Sequence, residues 1–109
     1  MLLNVADRFR LLELLARQQG SLATMGILRK LNEKLEFSIE EFEEYGIVTD
    51  PVNGRVNWKV TPDIPQEKEF DFSEKQIKYI VDLLKTWPQL TIAHFPILEK
   101  FGVKLPEEE

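Results

Sequence analysis

The 109-residue chain has no cysteine and a single histidine, and it has no long apolar run. Without cysteine it has no disulfide, no thiolate metal site and no catalytic thiol. A lone histidine, His94, excludes a histidine pair as metal ligands, and between Ile92 and Phe95 we expect it to be a hydrogen-bonded structural residue. No stretch approaches the roughly 20 apolar residues of a membrane-spanning helix, and the charged N-terminus does not resemble a secretion signal. These absences predict a soluble, cytoplasmic protein that makes no membrane contact.

The sequence also lacks the side-chain patterns of common catalytic sites. Its five glycines are isolated, so no glycine-rich loop is available to cradle a phosphate. Ser21, Ser38 and Ser73 stand where helix N-caps are expected, and no nucleophile motif surrounds them. Adjacent carboxylates such as Glu40-Glu41 are predicted to be exposed, whereas general acid–base catalysis needs a carboxylate in an apolar pocket. We therefore predict a protein that is not an enzyme and holds no cofactor or metal ion.

Charge is unevenly distributed along the chain, whose net charge is −5. Residues 1–35 hold six bases against three acids, residues 36–75 hold four against eleven, and residues 76–109 hold four against five. The stretch from Glu36 to Gly46 has five carboxylates and no base. Solvated faces that keep a small protein soluble are one explanation of this asymmetry, and two binding faces of opposite charge are the other.

Apolar periodicity predicts the first two elements. Residues at helical spacing indicate α-helices from about Leu3 to Arg17 and from about Leu22 to Lys34. Gly20 separates them.

The acidic stretch is predicted to be a third helix. Ser38 followed by Glu41 forms a capping box, and Gly46 ends the helix. Ile39 and Phe42 are expected to point into the core. This helix occupies the place at which a winged-helix DNA-binding protein carries its basic recognition helix.

A β-hairpin is predicted next, because Asn53-Gly54 between β-forming residues is a strong hairpin signal. Val56, Trp58 and Val60 alternate with polar residues, as in a strand with one buried face.

The remaining chain is predicted to be a linker and two helices. Residues 61–71 are rich in proline and polar residues, Ser73 caps a fourth helix with Gln76 in the box position, and Thr91 caps a last helix through Phe101. Pro96 predicts that this last helix is kinked or starts late. The predicted fold class is mainly α (α+β): a winged-helix-like three-helix unit plus a β-hairpin in residues 1–60, then the linker, a helical pair in 72–103 and an acidic tail in 104–109, all in one domain.

Several segments of the chain together form a recognisable pattern of helix stripes and caps. Its residues are Leu3, Val5, Arg8, Leu11-Leu12, Leu14-Leu15, Gly20, Thr24, Ile27, Arg29-Lys30-Leu31, Glu33-Lys34-Leu35, Phe37-Ser38, Glu40-Glu41, Trp58, Phe72, Glu74-Lys75, Leu90-Thr91, His94 and Glu99-Lys100-Phe101. In these residues the chain resembles a family of short, uncharacterised proteins that tailed bacteriophages and prophages encode. It departs from the family pattern between Lys85 and Pro96, where the family has a charged linker and a final helix without proline. The resemblance implies a phage or prophage origin and a small α-rich domain, and it implies no activity.

The predicted function is binding to a host or phage protein, as an adaptor or an inhibitor. Acidic residues of the third helix would address a basic surface, and aromatic residues would serve as anchors, because aromatic side chains dominate interface energies. Phe95 is a further aromatic candidate, whereas Trp58 and Phe42 are expected to be core residues. The predicted protein-binding residues are Glu40, Glu43, Glu44, Tyr45, Tyr79 and Trp87.

Two alternatives stay open. A winged-helix DNA-binding regulator would use Arg29, Lys30, Lys34, Arg55 and Lys59, and Arg8, Arg10 and Arg17 would extend the basic patch. Four carboxylates on both exposed edges of the third helix oppose this, because duplex affinity depends on cation–phosphate contacts. A minor virion or assembly component is the second alternative, and it would self-associate through the hydrophobic last helix.

Overall fold

A computed structural model describes residues 1–59 and 67–104. In these ranges the protein is mainly α-helical with two small antiparallel β-ladders, which confirms the predicted fold class. The helices are α1 (Val5–Ala16), α2 (Leu22–Leu35), α3 (Ile39–Tyr45), α4 (Glu74–Thr86) and α5 (Phe95–Lys100), and the strands are β1 (Leu2–Asn4), β2 (Val48–Thr49), β3 (Val56–Asn57) and β4 (Glu67–Glu69).

Local capping fixes where the helices begin and end. The capping boxes of α3 and α4 form as predicted, with the Ser38 and Ser73 hydroxyls accepting from the backbone N–H three residues later. Gly46 ends α3 in the left-handed conformation, with φ of 60°. The start of α1 was predicted too early. Asn4 is its N-cap and exchanges reciprocal hydrogen bonds with Asp7, at 2.8 and 3.1 Å.

The end of the predicted linker is part of the fold. Glu67–Glu69 pairs with Leu2–Asn4, in the register Leu2 with Glu69 and Asn4 with Glu67. Phe70 and Phe72 are buried in the core. The linker prediction is therefore wrong for residues 67–70, because hydrogen-bond partners near the N-terminus stabilise a strand that is charged and exposed along its own length. Residues 61–66 of the predicted linker lie outside the described residues.

The predicted hairpin joins β2 and β3. Val48 pairs with Asn57 and Thr49 with Val56, and Gly54 has φ of 71° in the connecting turn. Beyond the hairpin, the Lys59 N–H donates to the Tyr45 carbonyl at 2.7 Å. This bond fixes the hairpin against the C-terminal end of α3. Val60, predicted to follow in the same strand, lies outside the described residues.

Two apolar clusters organise the described residues. The main core unites both halves of the chain, since residues of α1 and α2 pack with residues of α4 and α5 and with Phe70 and Phe72. A smaller aromatic cluster lies between α1, α3 and the hairpin, with Val5, Tyr45 and Ile47 buried and Phe9, Phe37, Val56 and Trp58 half-buried. The three-helix unit and the C-terminal helices therefore share one core.

The last helix starts late, which is one of the two predicted outcomes. A 3-10 turn at Ile92–His94 precedes α5, and Pro96 lies in its first turn, where the missing N–H has no cost. The His94 ring accepts a hydrogen bond from the Thr91 N–H at 3.0 Å and meets the Trp87 ring edge-on. The tail at residues 105–109 lies outside the described residues. Among the described residues, no helix is long and apolar enough to cross a membrane.

Candidate functional site

The acidic helix α3 is positioned by a buried arginine. Arg8 of α1 is only 1% exposed. Its guanidinium donates to both Glu41 carboxylate oxygens, at 2.5 and 3.2 Å, and to the carbonyls of Leu35 and Glu36 at the end of α2. The same group lies 3.8 Å from the centre of the Phe37 ring. Arg8 therefore connects α1, the end of α2 and the start of α3.

The environment of Glu41 strongly favours its ionised form. The pKa of Glu41 is lowered to about 2, chiefly by the hydrogen bond from Arg8, whose effect exceeds the opposite effect of burial. The Ser38 N–H and the positive charges of Arg8 and Lys68 contribute to the same lowering. Glu41 thus has a double structural role, as the partner of Arg8 and as the N3 residue of the capping box.

The prediction that Arg8 belongs to an exposed basic patch is wrong. Its position in the sequence contained a signal of burial, because Val5, Arg8, Leu11 and Leu15 recur at helical spacing and lie on one face of α1. An arginine within an apolar stripe needs a buried acid. The sequence does not identify that acid, since Glu41 lies 33 residues away.

The side of α3 that faces solvent is its outer face. Successive helical residues are about 100° apart, so Phe42, Ile39, Glu43, Glu40 and Glu44 follow one another around the helix, opposite Glu41 and Tyr45. All five are exposed, Ile39 by 76% and Phe42 by 45%. Within the described ranges, the three carboxylates form no side-chain hydrogen bond or ion pair. The outer face therefore combines an apolar edge with an acidic surface.

The expectation that Ile39 and Phe42 point inward is wrong. In a helix of two turns, the pair Ile39 and Phe42 and the pair Glu41 and Tyr45 are both at helical spacing. Burying Glu41 beside Arg8, and Tyr45 in the aromatic cluster, turns the other pair outward. The expectation that Glu41 is one of four exposed carboxylates is wrong for the same reason.

The aromatic residues predicted as anchors are mostly internal. Tyr45 is buried in the aromatic cluster, and burial together with the charges of Glu41 and Glu44 raises its pKa. Trp87 is buried in the main core. Tyr79 is half-buried against that core, and burial raises its pKa. Of the six predicted protein-binding residues, Glu40, Glu43 and Glu44 are therefore the ones brought together on an exposed surface.

The basic residues of α2 are only partly available to a ligand. Arg29 is exposed and pairs with Glu33 at 3.2 Å, one turn along the helix. The Lys34 ammonium donates to the Asp71 carbonyl at 2.7 Å and to Gln76 at 2.8 Å, so it connects α2 to the start of α4. Lys30 is exposed.

Two basic residues of the hairpin segment were also predicted to contact DNA. Arg55 is exposed in the turn. Lys59 is exposed, and its side chain lies beside Gly46 at the end of α3. Lys59 is therefore near the C-terminal end of α3, where Glu44 contributes negative charge.

No cluster of histidine, cysteine, aspartate and glutamate in residues 1–59 and 67–104 has the geometry to hold a metal ion. No protein-family model, curated protein or solved structure matches the chain. The candidate site is therefore defined by its geometry alone.

Proposed function

We propose that this protein acts by binding another protein through the outer face of α3. The observation that carries the proposal is the exposure of Ile39 and Phe42 beside three carboxylates that pair with none of the described residues. Apolar side chains surrounded by charge are typical of interaction surfaces, because their burial supplies affinity and the charges select the partner.

The partner is expected to present a basic surface with an apolar depression. Glu40, Glu43 and Glu44 would meet lysine or arginine side chains at the rim, and Phe42 would enter the depression. In the setting that the phage resemblance implies, the partner is a host or phage protein, and this protein is its adaptor or inhibitor.

DNA binding is the competing proposal, and the charges of the described residues disfavour it. The outer face would repel phosphate, Arg8 is buried, and Lys34 is held by the Asp71 carbonyl and by Gln76. Counterion release by the exposed basic residues that remain, such as Arg29, Lys30 and Arg55, would have to overcome that repulsion.

A comparison of two charge-matched variants tests the proposal. The first reverses Glu40, Glu43 and Glu44 to lysine. The second reverses Asp71, Asp82 and Glu99, which are exposed elsewhere, and changes the net charge equally. Proteins captured from a bacterial lysate by the original chain should be lost with the first variant and kept with the second. Equal loss with both would mean that binding depends on net charge, and would contradict a specific site.

Neutral variants test the apolar edge. Ile39→Ser with Phe42→Ser should weaken the captured complex at least about tenfold without changing the charge. A salt titration with duplex DNA tests the competing proposal. Sub-micromolar affinity that falls steeply with salt, and that Arg29→Glu or Lys30→Glu abolishes, would overturn protein binding as the function.

A further inference from the structure

A concave surface, separate from the outer face of α3, lies between α1 and the β2–β3 hairpin. This α1–hairpin cleft has a volume of about 390 Å³. That is within the range of roughly 300–1,000 Å³ that is typical of small-molecule sites. Its lining residues are Ala6, Phe9, Arg10, Glu13, Val56 and Trp58.

The walls of the cleft are suited to a flat apolar group. The Phe9 and Trp58 rings lie 5.7 Å apart at an angle of 33°. Both rings belong to the aromatic cluster but are only half-buried, so part of each remains open to a ligand. Val56 is half-buried beside them. A planar ring placed here would gain aromatic contacts and displace water from apolar surface.

The unbalanced charge of the cleft is positive, although the protein as a whole carries −5. Glu13 is neutralised by Arg17, at 2.7 Å. Arg10 is half-buried and forms no hydrogen bond or ion pair with any residue that the structure describes. Since its guanidinium has no protein partner among the described residues, an anion in the cleft would receive charge-assisted hydrogen bonds from it.

We propose that the α1–hairpin cleft binds a small aromatic carboxylic acid. The ring packs against Trp58 and Phe9, and the carboxylate accepts hydrogen bonds from Arg10, whose planar guanidinium matches the carboxylate geometry. A free small molecule, and not a peptide, is the ligand, because the cleft accommodates one or two rings and offers a single cation among its described lining residues.

Three probes with the same ring test this assignment. Indole-3-acetate, indole-3-ethanol and tryptamine differ only in carrying a negative, a neutral or a positive group. Each is titrated into the ¹⁵N-labelled full chain, whose two tryptophans give two indole N–H signals in NMR spectra. The Trp58 signal should shift on titration with indole-3-acetate and give a Kd of about 1 mM or tighter. The affinity should be lower for indole-3-ethanol and lowest for tryptamine. The signal of Trp87, in the main core, is the internal reference.

The side chain that selects the anion is tested by Arg10→Gln. This variant should lower the affinity for indole-3-acetate at least about fivefold and leave the affinity for indole-3-ethanol within about twofold of the original. Arg29→Gln, which removes an exposed arginine of α2, is the matched control and should change neither affinity. The Trp87 signal reports whether each variant keeps its fold.

Any one of three results would overturn the assignment: a Trp58 signal that stays fixed with every probe, an affinity for tryptamine as high as that for indole-3-acetate, or an equal effect of Arg10→Gln and Arg29→Gln on the affinity for indole-3-acetate. Binding of a peptide that ends in a tryptophan carboxylate, with indole-3-acetate inert, would also overturn it in favour of a protein ligand.

Discussion

The inner and outer faces of α3 hold the same residue types in opposite roles. On the inner face, Glu41 is 12% exposed and is held by the buried Arg8, and Tyr45 is packed in the aromatic cluster. On the outer face, the glutamates form no ion pair with the described residues, and Ile39 and Phe42 are exposed, although the Phe42 ring lies 6.0 Å from that of Phe37. The difference shows that carboxylates adjacent in sequence can serve the fold or remain available for binding, depending on the neighbours that packing provides.

The largest effect that separates the two faces is expected at Arg8. Arg8→Met should lower the free energy of unfolding by about 3–5 kcal/mol, because it leaves Glu41 and two backbone carbonyls without their donor. Urea denaturation at pH 7 measures this loss. Arg29→Met is the control, since its exposed ion pair should contribute less than about 1 kcal/mol. Similar midpoints for the two variants would mean that the Arg8 contacts do not stabilise α3.

The second largest effect is expected for the aromatic residues, whose contributions to the free energy of unfolding should differ between the two faces. Tyr45→Ala should lower the free energy of unfolding by about 3 kcal/mol, because it opens a cavity in the aromatic cluster. Phe42→Ala, on the outer face, should cost less than about 1 kcal/mol. Thermal denaturation of both variants compares them directly, and a larger loss for Phe42→Ala would reverse the orientation assigned to α3.

The carboxylates should differ in their dependence on pH. A glutamate whose pKa is lowered in the folded state stabilises the protein above the pKa it has when unfolded, and this contribution disappears as the pH falls through the folded pKa. With the pKa of Glu41 at about 2, the loss should occur between about pH 5 and pH 2.

Glu41→Gln should therefore lower the free energy of unfolding by about 2–3 kcal/mol at pH 7, with the two curves converging near pH 2. Urea denaturation across this pH range measures the difference. The curve of unfolding free energy against pH should be the same for Glu43→Gln as for the original chain. Curves displaced by the same amount at every pH for both variants would contradict the role of Glu41.

The smallest effect is expected within the outer face itself. Glu40 lies in the first turn of α3, where a negative charge is favourable, and Glu44 lies in the last, where it is unfavourable. Glu40→Gln should lower and Glu44→Gln should raise the free energy of unfolding, each by about 0.3–0.5 kcal/mol. Chemical denaturation at low salt resolves this, and a change of the same sign in both would exclude the helix dipole as the cause.

Much of the local structure was predictable because its causes lie within a few residues. Ser38 with Glu41, Ser73 with Gln76 and the glycine at position 46 mark helix boundaries through contacts across three or four positions. The turn at Asn53-Gly54 is local in the same way. These elements establish the fold class without reference to the rest of the chain.

The pairing of β1 with β4 could not be predicted in the same way. Glu67–Glu69 is a run of charged residues with weak β propensity, and its partner lies at the other end of the chain. Lys100 joins the same region by donating to Asp7 at 2.6 Å, and it also approaches Glu67. Such a ladder depends on tertiary packing that holds distant segments together.

For the candidate site, the sequence by itself determined an acidic third helix with defined ends. Which carboxylates remain free was decided only by the tertiary structure, because Arg8 approaches α3 from 33 positions away and withdraws Glu41. The same packing turns Ile39 and Phe42 outward and Tyr45 inward. A two-turn helix has no strong periodicity of its own, so its orientation follows from the buried charge that it must neutralise.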